Sequence, residues 1–224
     1  MDIEKIFGQL GGVFLKPTGQ IAEALPAIKA FIFDWDGVFN DGSKNGETGS
    51  SFSEVDSMGI NLLRFSMWLR NGHIPDLFII TGMINKTAIG FAQREHFTGI
   101  YANQKNKRIV LENIARTFSI TPDSAAFIFD DVIDFEAAKL CRLSFFVARK
   151  ANPLLVNYVR ENSVGNYISA FRGGRHAVRE ICELLTGLNG NYESTLENRI
   201  RFSDEYSSYL SERNKISTVT ELHR

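Results

Sequence analysis

Four short apolar runs punctuate the chain: "AFIF" at 30–33, "LFII" at 77–80, "AFIF" at 126–129 and "SFFV" at 144–147. The first three break off at Asp34, Thr81 and Asp130, and the fourth at Ala148. A continuous apolar run without alternation marks a strand buried on both faces. Between the runs lie stretches with helical spacing at 59–70, 86–95, 107–118 and 135–141. Strands alternating with helices predict an α/β fold, a parallel sheet with right-handed crossovers flanked by helices. In such sheets ligands collect beyond the carboxyl ends of the strands, where the strand order reverses. That is where Asp34, Thr81 and Asp130 are expected.

The segments outside this alternation read differently. "NDGSKNGETGSSFSE" (40–54), rich in Gly, Asn and Ser, predicts a small β-hairpin or flap. "TPDSA" (121–125) is a turn, and "FRGGRHAVREICELL" (171–185) sets two glycines before a helix. Near the start, Ile3, Ile6, Phe7 and Leu10 fall on one helical face and predict an amphipathic arm. Tyr192, Leu196, Ile200, Tyr206 and Leu210 predict an amphipathic helix over 191–211, which docks either on its own domain or on a neighbouring subunit. The expected organisation is an N-terminal extension (1–26), one α/β domain (27–188) and a C-terminal helical extension (189–224).

Composition narrows the function. A net charge of -1 without a basic run excludes general nucleic-acid binding. No apolar stretch is long enough to span a bilayer, and the acidic N-terminus lacks the features of a secretory leader. With only Cys141 and Cys182, the expectation is a soluble cytoplasmic protein without membrane partners. His73, His96, His176 and His223 are scattered without metal-ligand spacing and read as structural or surface residues.

The chemistry begins at "FIFDWDGVFNDG" (31–42), where two carboxylates stand one residue apart at the end of a buried strand. Like charges so placed cost several kcal/mol unless something positive compensates, so this is either an acidic surface turn or a cation site. Asp130 and Asp131 are expected at the same end of the sheet. Hard oxygen ligands without His or Cys suit Mg²⁺. Thr81 is placed to hydrogen-bond a phosphate oxygen and Lys107 to neutralise charge there. A carboxylate nucleophile, a metal, a hydroxyl and an ammonium are the parts of a site that transfers phosphoryl groups through an aspartyl-phosphate. Each part has a plainer reading by itself. "DWDG" alone is a capped turn, Thr81 an N-cap, and Lys107 part of a solvated face with Lys105 and Arg108. Asp131 and Asp134 also suit the cap of a following helix. Arg172 and Arg175 either grip a substrate carboxylate or are simply exposed. Trp35 is read as core packing or a pocket wall. The ordered set, not any member, carries the reading.

That set resembles the haloacid dehalogenase superfamily: "DWDG" (34–37), "ITG" (80–82), Lys107 and "DDVID" (130–134). Together with "FSEVDSMGI" (52–60), "YANQKNK" (101–107), "NPLL" (152–155) and "GGRHAVREICELL" (173–185), the order from Phe31 to Leu185 resembles the 3-deoxy-D-manno-octulosonate 8-phosphate phosphatases. The resemblance implies a Rossmann-like core and a phosphorylated sugar acid as substrate. It implies Asp34 as nucleophile and metal ligand, and Asp36 as general acid and base whose main-chain carbonyl also binds the metal. Asp130 would complete the metal site, with Asp131 and Asp134 supporting it. Thr81, Gly82 and Lys107 would hold the phosphoryl group, with Asp56, Arg172 and Arg175 as candidate substrate contacts. The sequence departs from the family pattern at Phe129, Met83, Val55, Ser57 and His176. Neither motif interval has room for a cap domain, so the resemblance further implies a homotetramer whose flaps meet neighbouring subunits. Light scattering tests this, and a stable monomer would refute it. The alternatives are a capless phosphatase of another sugar phosphate or a macromolecule, and a catalytically silent binding or assembly module.

Overall fold

The computed structural model describes residues 1–44 and 49–222. Its central sheet runs, from edge to edge, β1 (Val13–Phe14), β7 (Tyr167–Ile168), β6 (Leu143–Phe146), β5 (Ala125–Phe129), β2 (Ala30–Phe33), β3 (Asp76–Ile80), β4 (Gly99–Ala102) and β8 (Val219–Leu222). All neighbours are parallel except β1 and β7. The α/β expectation holds, and all four apolar runs lie on strands at its centre. β2 pairs with β3 on one side and β5 on the other, so the strand order reverses there.

Alternate residues of each strand supply two cores. Phe31, Phe33, Ile79 and Ile128 face α3 (Glu54–Asn71), α4 (Lys86–Arg94) and α8 (Ala177–Leu188). Ile32, Ile80, Phe127 and Phe129 face α5 (Lys107–Phe118), α6 (Phe135–Leu140) and α7 (Pro153–Glu161). Each such Phe or Ile contributes about 1.5–3 kcal/mol by leaving water. Helix starts are set by short polar side chains. Ser53 caps α3, Asn85 caps α4 and Asn106 caps α5, each accepting from main-chain N–H groups of the first turn. α3 stops at Gly72, whose φ of 71° is the left-handed conformation that a glycine adopts cheaply.

The terminal segments build on this frame. In α1 (Ile3–Leu10) only Phe7 of the four apolar-face residues is buried, against Tyr167, while Ile6 and Leu10 stay exposed. β1 then extends the sheet, and α2 (Thr18–Ala24) returns the chain to β2. The predicted tail helix is two helices, α9 (Tyr192–Arg201) and α10 (Asp204–Arg213). They break at Phe202, which takes the left-handed conformation, and Ser203 caps the second helix. Of the two docking options, the tail takes its own domain. Tyr206 and Tyr209 pack on Phe65, and both hydroxyls reach Asn61 of α3. Ile200 remains outside this contact and exposed. The hairpin expected over 40–54 is not formed by residues 40–44 and 49–53, which carry no strand; its centre, 45–48, lies outside the described residues, as does His223. Cys141 and Cys182 are free. No helix among the described residues is long and apolar enough to cross a membrane.

Candidate active site

The carboxyl ends of β2, β3 and β5 open into a cleft of about 220 Å³, lined by Asp34, Asp36, Gly42, Thr81, Gly82, Lys107, Asp130, Asp131, Ile133 and Arg149. The strand ends explain the convergence: Asp34 follows β2, Thr81 follows β3 and Asp130 follows β5, while α5 begins with Lys107. Between Asp36 and Thr81 the described chain forms only α3 and β3, and between Gly82 and Lys107 only α4 and β4. No separate domain covers the cleft among the described residues.

Lys107 is the electrostatic centre. Its buried ammonium meets Asp34 Oδ1 and Asp134 Oδ1, both at 2.6 Å. Burial alone would depress its pKa, but Asp34 and then Asp134 more than offset that and hold it above the ordinary lysine value. Asp134 is pushed up by burial in spite of Lys107. Asp130 is pushed up by burial and by Asp34, although the Arg149 guanidinium pairs with its Oδ2. Gly37, at φ 91°, lies so close that a Cβ there would overlap both Asp130 Oδ2 and Arg149 Nη2. Glycine is required at that point of "DWDG" both for backbone conformation and for space.

A cation fits this donor set. Carboxylate oxygens of Asp34, Asp130 and Asp134 lie within 4.8 Å of one another, and the buried Asp134 Oδ2 has no hydrogen-bond partner among the described residues. Five carboxylates at the cleft (Asp34, Asp36, Asp130, Asp131 and Asp134) face three cations (Lys44, Lys107 and Arg149). Carboxylates outnumber cations there, a repulsion that a divalent ion would relieve, and all-oxygen donors favour a hard one. The Asp36 side chain stands outside that trio; its oxygens meet Lys44 and Ser50, at 2.6 and 2.7 Å.

The remaining expected residues divide. Thr81 is buried, fixed by main-chain bonds to Tyr101 and Gln104, and Gly82 beside it lines the cleft. Asp131 caps the short turn at 132–134 through Val132 N–H and also lines the cleft. Arg172 and Arg175 are exposed and do not line the cleft; between them, Gly173 and Gly174 pack against the 37–41 turn. Asp56 is corrected outright as a substrate contact. It is 0 % exposed, and its Oδ1 accepts from Arg179 N–H near the start of α8. It has no surface from which to hold a ligand. Phe129 does not crowd the metal loop, because its ring points into the opposite core against Phe127, Phe135 and Phe146. Trp35 is core. Sequence reasoning missed Lys44, Ser50, Asn85 and Arg149, whose only signal was their nearness to motif residues in the folded chain.

Asp56 gives a pH prediction. Burial pushes its carboxyl up to about 6, from 3.8 in the unfolded chain. The native state therefore holds the proton more tightly. The stability due to this group is complete below pH 4 and is lost as pH rises through about 6, a loss of roughly 3 kcal/mol. Asp56→Asn should gain on the wild type by about 2–3 kcal/mol between pH 4 and pH 7.5 in denaturant unfolding. A gap between the two proteins that does not change with pH would refute this.

Comparison with known proteins agrees with the geometry. No family model matches the chain. The 3-deoxy-D-manno-octulosonate 8-phosphate phosphatase KdsC of Escherichia coli K12 is 32% identical over 170 residues, which is 74% of this chain and 83% of that protein. The crystal structure of the Yersinia pestis 3-deoxy-D-manno-octulosonate 8-phosphate phosphatase superposes with a TM-score of 0.65 at 30% identity, covering 78% of this chain and 89% of that one. The Moraxella catarrhalis enzyme, solved in complex with magnesium ion, phosphate ion and KDO, gives 0.66 at 26% identity, covering 81% of this chain and 98% of that one. On sequence, fold and the placement of its acidic loops, the chain belongs to the 3-deoxy-D-manno-octulosonate 8-phosphate phosphatase family of haloacid dehalogenase-type hydrolases.

Proposed function

We propose that the protein is a Mg²⁺-dependent phosphomonoester hydrolase that works through an aspartyl-phosphate on a sugar-acid phosphate of the 3-deoxy-D-manno-octulosonate 8-phosphate type. The observation that carries this reading is the Asp34 carboxylate, at the end of β2, held by Lys107 and opening onto a cleft with Asp130, Thr81 and Gly82. Asp34 and Asp130 side chains and the Asp36 carbonyl would hold Mg²⁺, which supplies charge neutralisation for the phosphate oxygens.

In the first half of the reaction an Asp34 oxygen forms a bond to phosphorus as the bond to the sugar oxygen breaks. Asp36 gives its proton to that leaving oxygen. In the second half a water attacks phosphorus, its proton passes to Asp36, and the Asp34–phosphorus bond breaks to release phosphate. Thr81, the Gly82 amide and Lys107 stabilise the oxygens that gain charge. Asp134, paired with Lys107, keeps that ammonium aimed at Asp34. Asp131 supports the acidic loop by capping its turn. Arg172 and Arg175, beside the glycines that abut the cleft turn, are the residues through which a sugar carboxylate would be met. The cleft lacks a covering domain among the described residues, and a homotetramer in which a neighbouring copy supplies the cover belongs to the same reading.

The test is Mg²⁺-dependent phosphate release over a panel of eight- and nine-carbon ulosonic acid phosphates, hexose phosphates and an aryl phosphate. Selective release from the eight-carbon compound is expected. Preference for a hexose phosphate would overturn the substrate, and no release from any compound would overturn the enzyme reading.

A further inference from the structure

Ser50 sits behind Asp36 in a position that leaves its hydroxyl no choice. Three N–H donors converge on its buried Oγ: Trp35 Nε1 at 3.0 Å, Asn40 Nδ2 at 3.0 Å and Asn85 Nδ2 at 2.8 Å. None of these groups can turn round to accept. The indole nitrogen only donates. The amide oxygen of Asn40 is committed to the main-chain N–H groups of Gly37 and Gly42. That of Asn85 is committed to Thr87 and Ala88 at the start of α4. Reversing either amide would set N–H against N–H. Among the described residues, the acceptor that Ser50 meets is Asp36 Oδ1, at 2.7 Å, so the hydroxyl proton points there.

We propose that Ser50 is a positioning residue for proton transfer by Asp36. The inference rests on Asp36 being the acid and base of the proposed reaction. By donating permanently to Oδ1, Ser50 keeps that oxygen an acceptor and fixes the rotation of the carboxyl. Oδ2, which here accepts from the part-exposed Lys44 ammonium, is therefore the oxygen left to give and take the exchangeable proton. Lys44 yields Oδ2 when the substrate enters. The proton on Oδ2 passes to the leaving oxygen, and a water proton later replaces it; the Ser50 proton stays on Oγ throughout. Trp35, Asn40 and Asn85 form the ring of donors that enforces this, which gives the tryptophan between the two aspartates a purpose beyond packing. It also couples the acid to the cap of α4, beside the phosphate-binding Thr81–Gly82 turn.

The prediction separates substrates by leaving group. A sugar alkoxide needs a proton as it departs, whereas 4-nitrophenolate does not. In single-turnover measurements of leaving-group release, which exclude the later water attack that uses Asp36 with either substrate, Ser50→Ala is expected to slow release of the sugar by about 10–100-fold and to alter release of 4-nitrophenolate by less than about threefold. Ser50→Thr, which keeps the hydroxyl, should recover much of the loss. Both rates come from one preparation with its melting curve, so loss of folded protein scales them together and cannot imitate the split. Asp36→Asn is the control and should show a larger split in the same direction. A split in Asp36→Asn with equal slowing of both substrates in Ser50→Ala would overturn the role of Ser50 alone. No split in Asp36→Asn would overturn the acid/base reading and this inference with it.

Discussion

Asp34→Asn should reduce phosphate release by on the order of 10⁴-fold or more, because loss of a covalent nucleophile removes the reaction path and not merely a contact. The amide is nearly the same shape, so the fold should survive. The substitution also removes one of two negative charges that meet Lys107. The metal-free protein should therefore melt within a few degrees of the wild type, since the remaining Asp134 still pairs with the ammonium. Phosphate release and a melting curve on the same sample check both halves. Activity above about one hundredth of the wild-type rate would rule out Asp34 as the nucleophile.

The opposite change, Lys107→Met, should be costly in both respects. It strands Asp34 and Asp134, both buried, facing each other without the cation that each meets at 2.6 Å. Removing one partner of a buried pair typically costs about 3–5 kcal/mol, which in a chain of this size is roughly 6–20 °C of melting temperature. Turnover should fall by about 10²–10³-fold with the loss of a donor to the transferring phosphoryl group. Magnesium should restore more of the melting temperature in this variant than in the wild type, since a divalent ion then does part of the lysine's work. Scanning fluorimetry with and without Mg²⁺ reads this directly. An unaltered melting temperature without metal would show that the triad contributes nothing to stability.

How much of this was legible in the sequence depends on whether a feature repeats a local pattern. Strands β2, β3, β5 and β6 are apolar on both faces and announce themselves. β4, "GIYA", opens with glycine, which leaves an apolar run of only three residues, while β8, "VTEL", is exposed throughout and has no apolar run to betray it. Asp34, Lys107 and Asp130 were legible because strand ends and a helix start fix them relative to backbone geometry. Asp56 was misjudged for an instructive reason. A carboxylate in the first turn of a helix ordinarily faces water, and nothing local reveals that α8 will close over it and use it to accept a main-chain N–H. Ser50 lay among serines and glycines that look interchangeable. Only the fold brings Trp35, Asn40 and Asn85 round it, from three separate places in the chain.

The pairing of β4 with β8 has a consequence for how the molecule is made. β4 gains its outer neighbour from residues 219–222, roughly half the chain later. At ordinary synthesis rates that interval is about ten seconds. In its last part, once Ile168 has been made, β1 to β7 and the acidic cleft have all their residues, yet one side of the sheet presents unsatisfied amide and carbonyl groups. Unpaired edges of this kind recruit other chains. β8 then becomes the edge in place of β4, a short, exposed strand carrying Glu221, and truncation just before Val219 should leave a protein with its cleft intact that self-associates through β4.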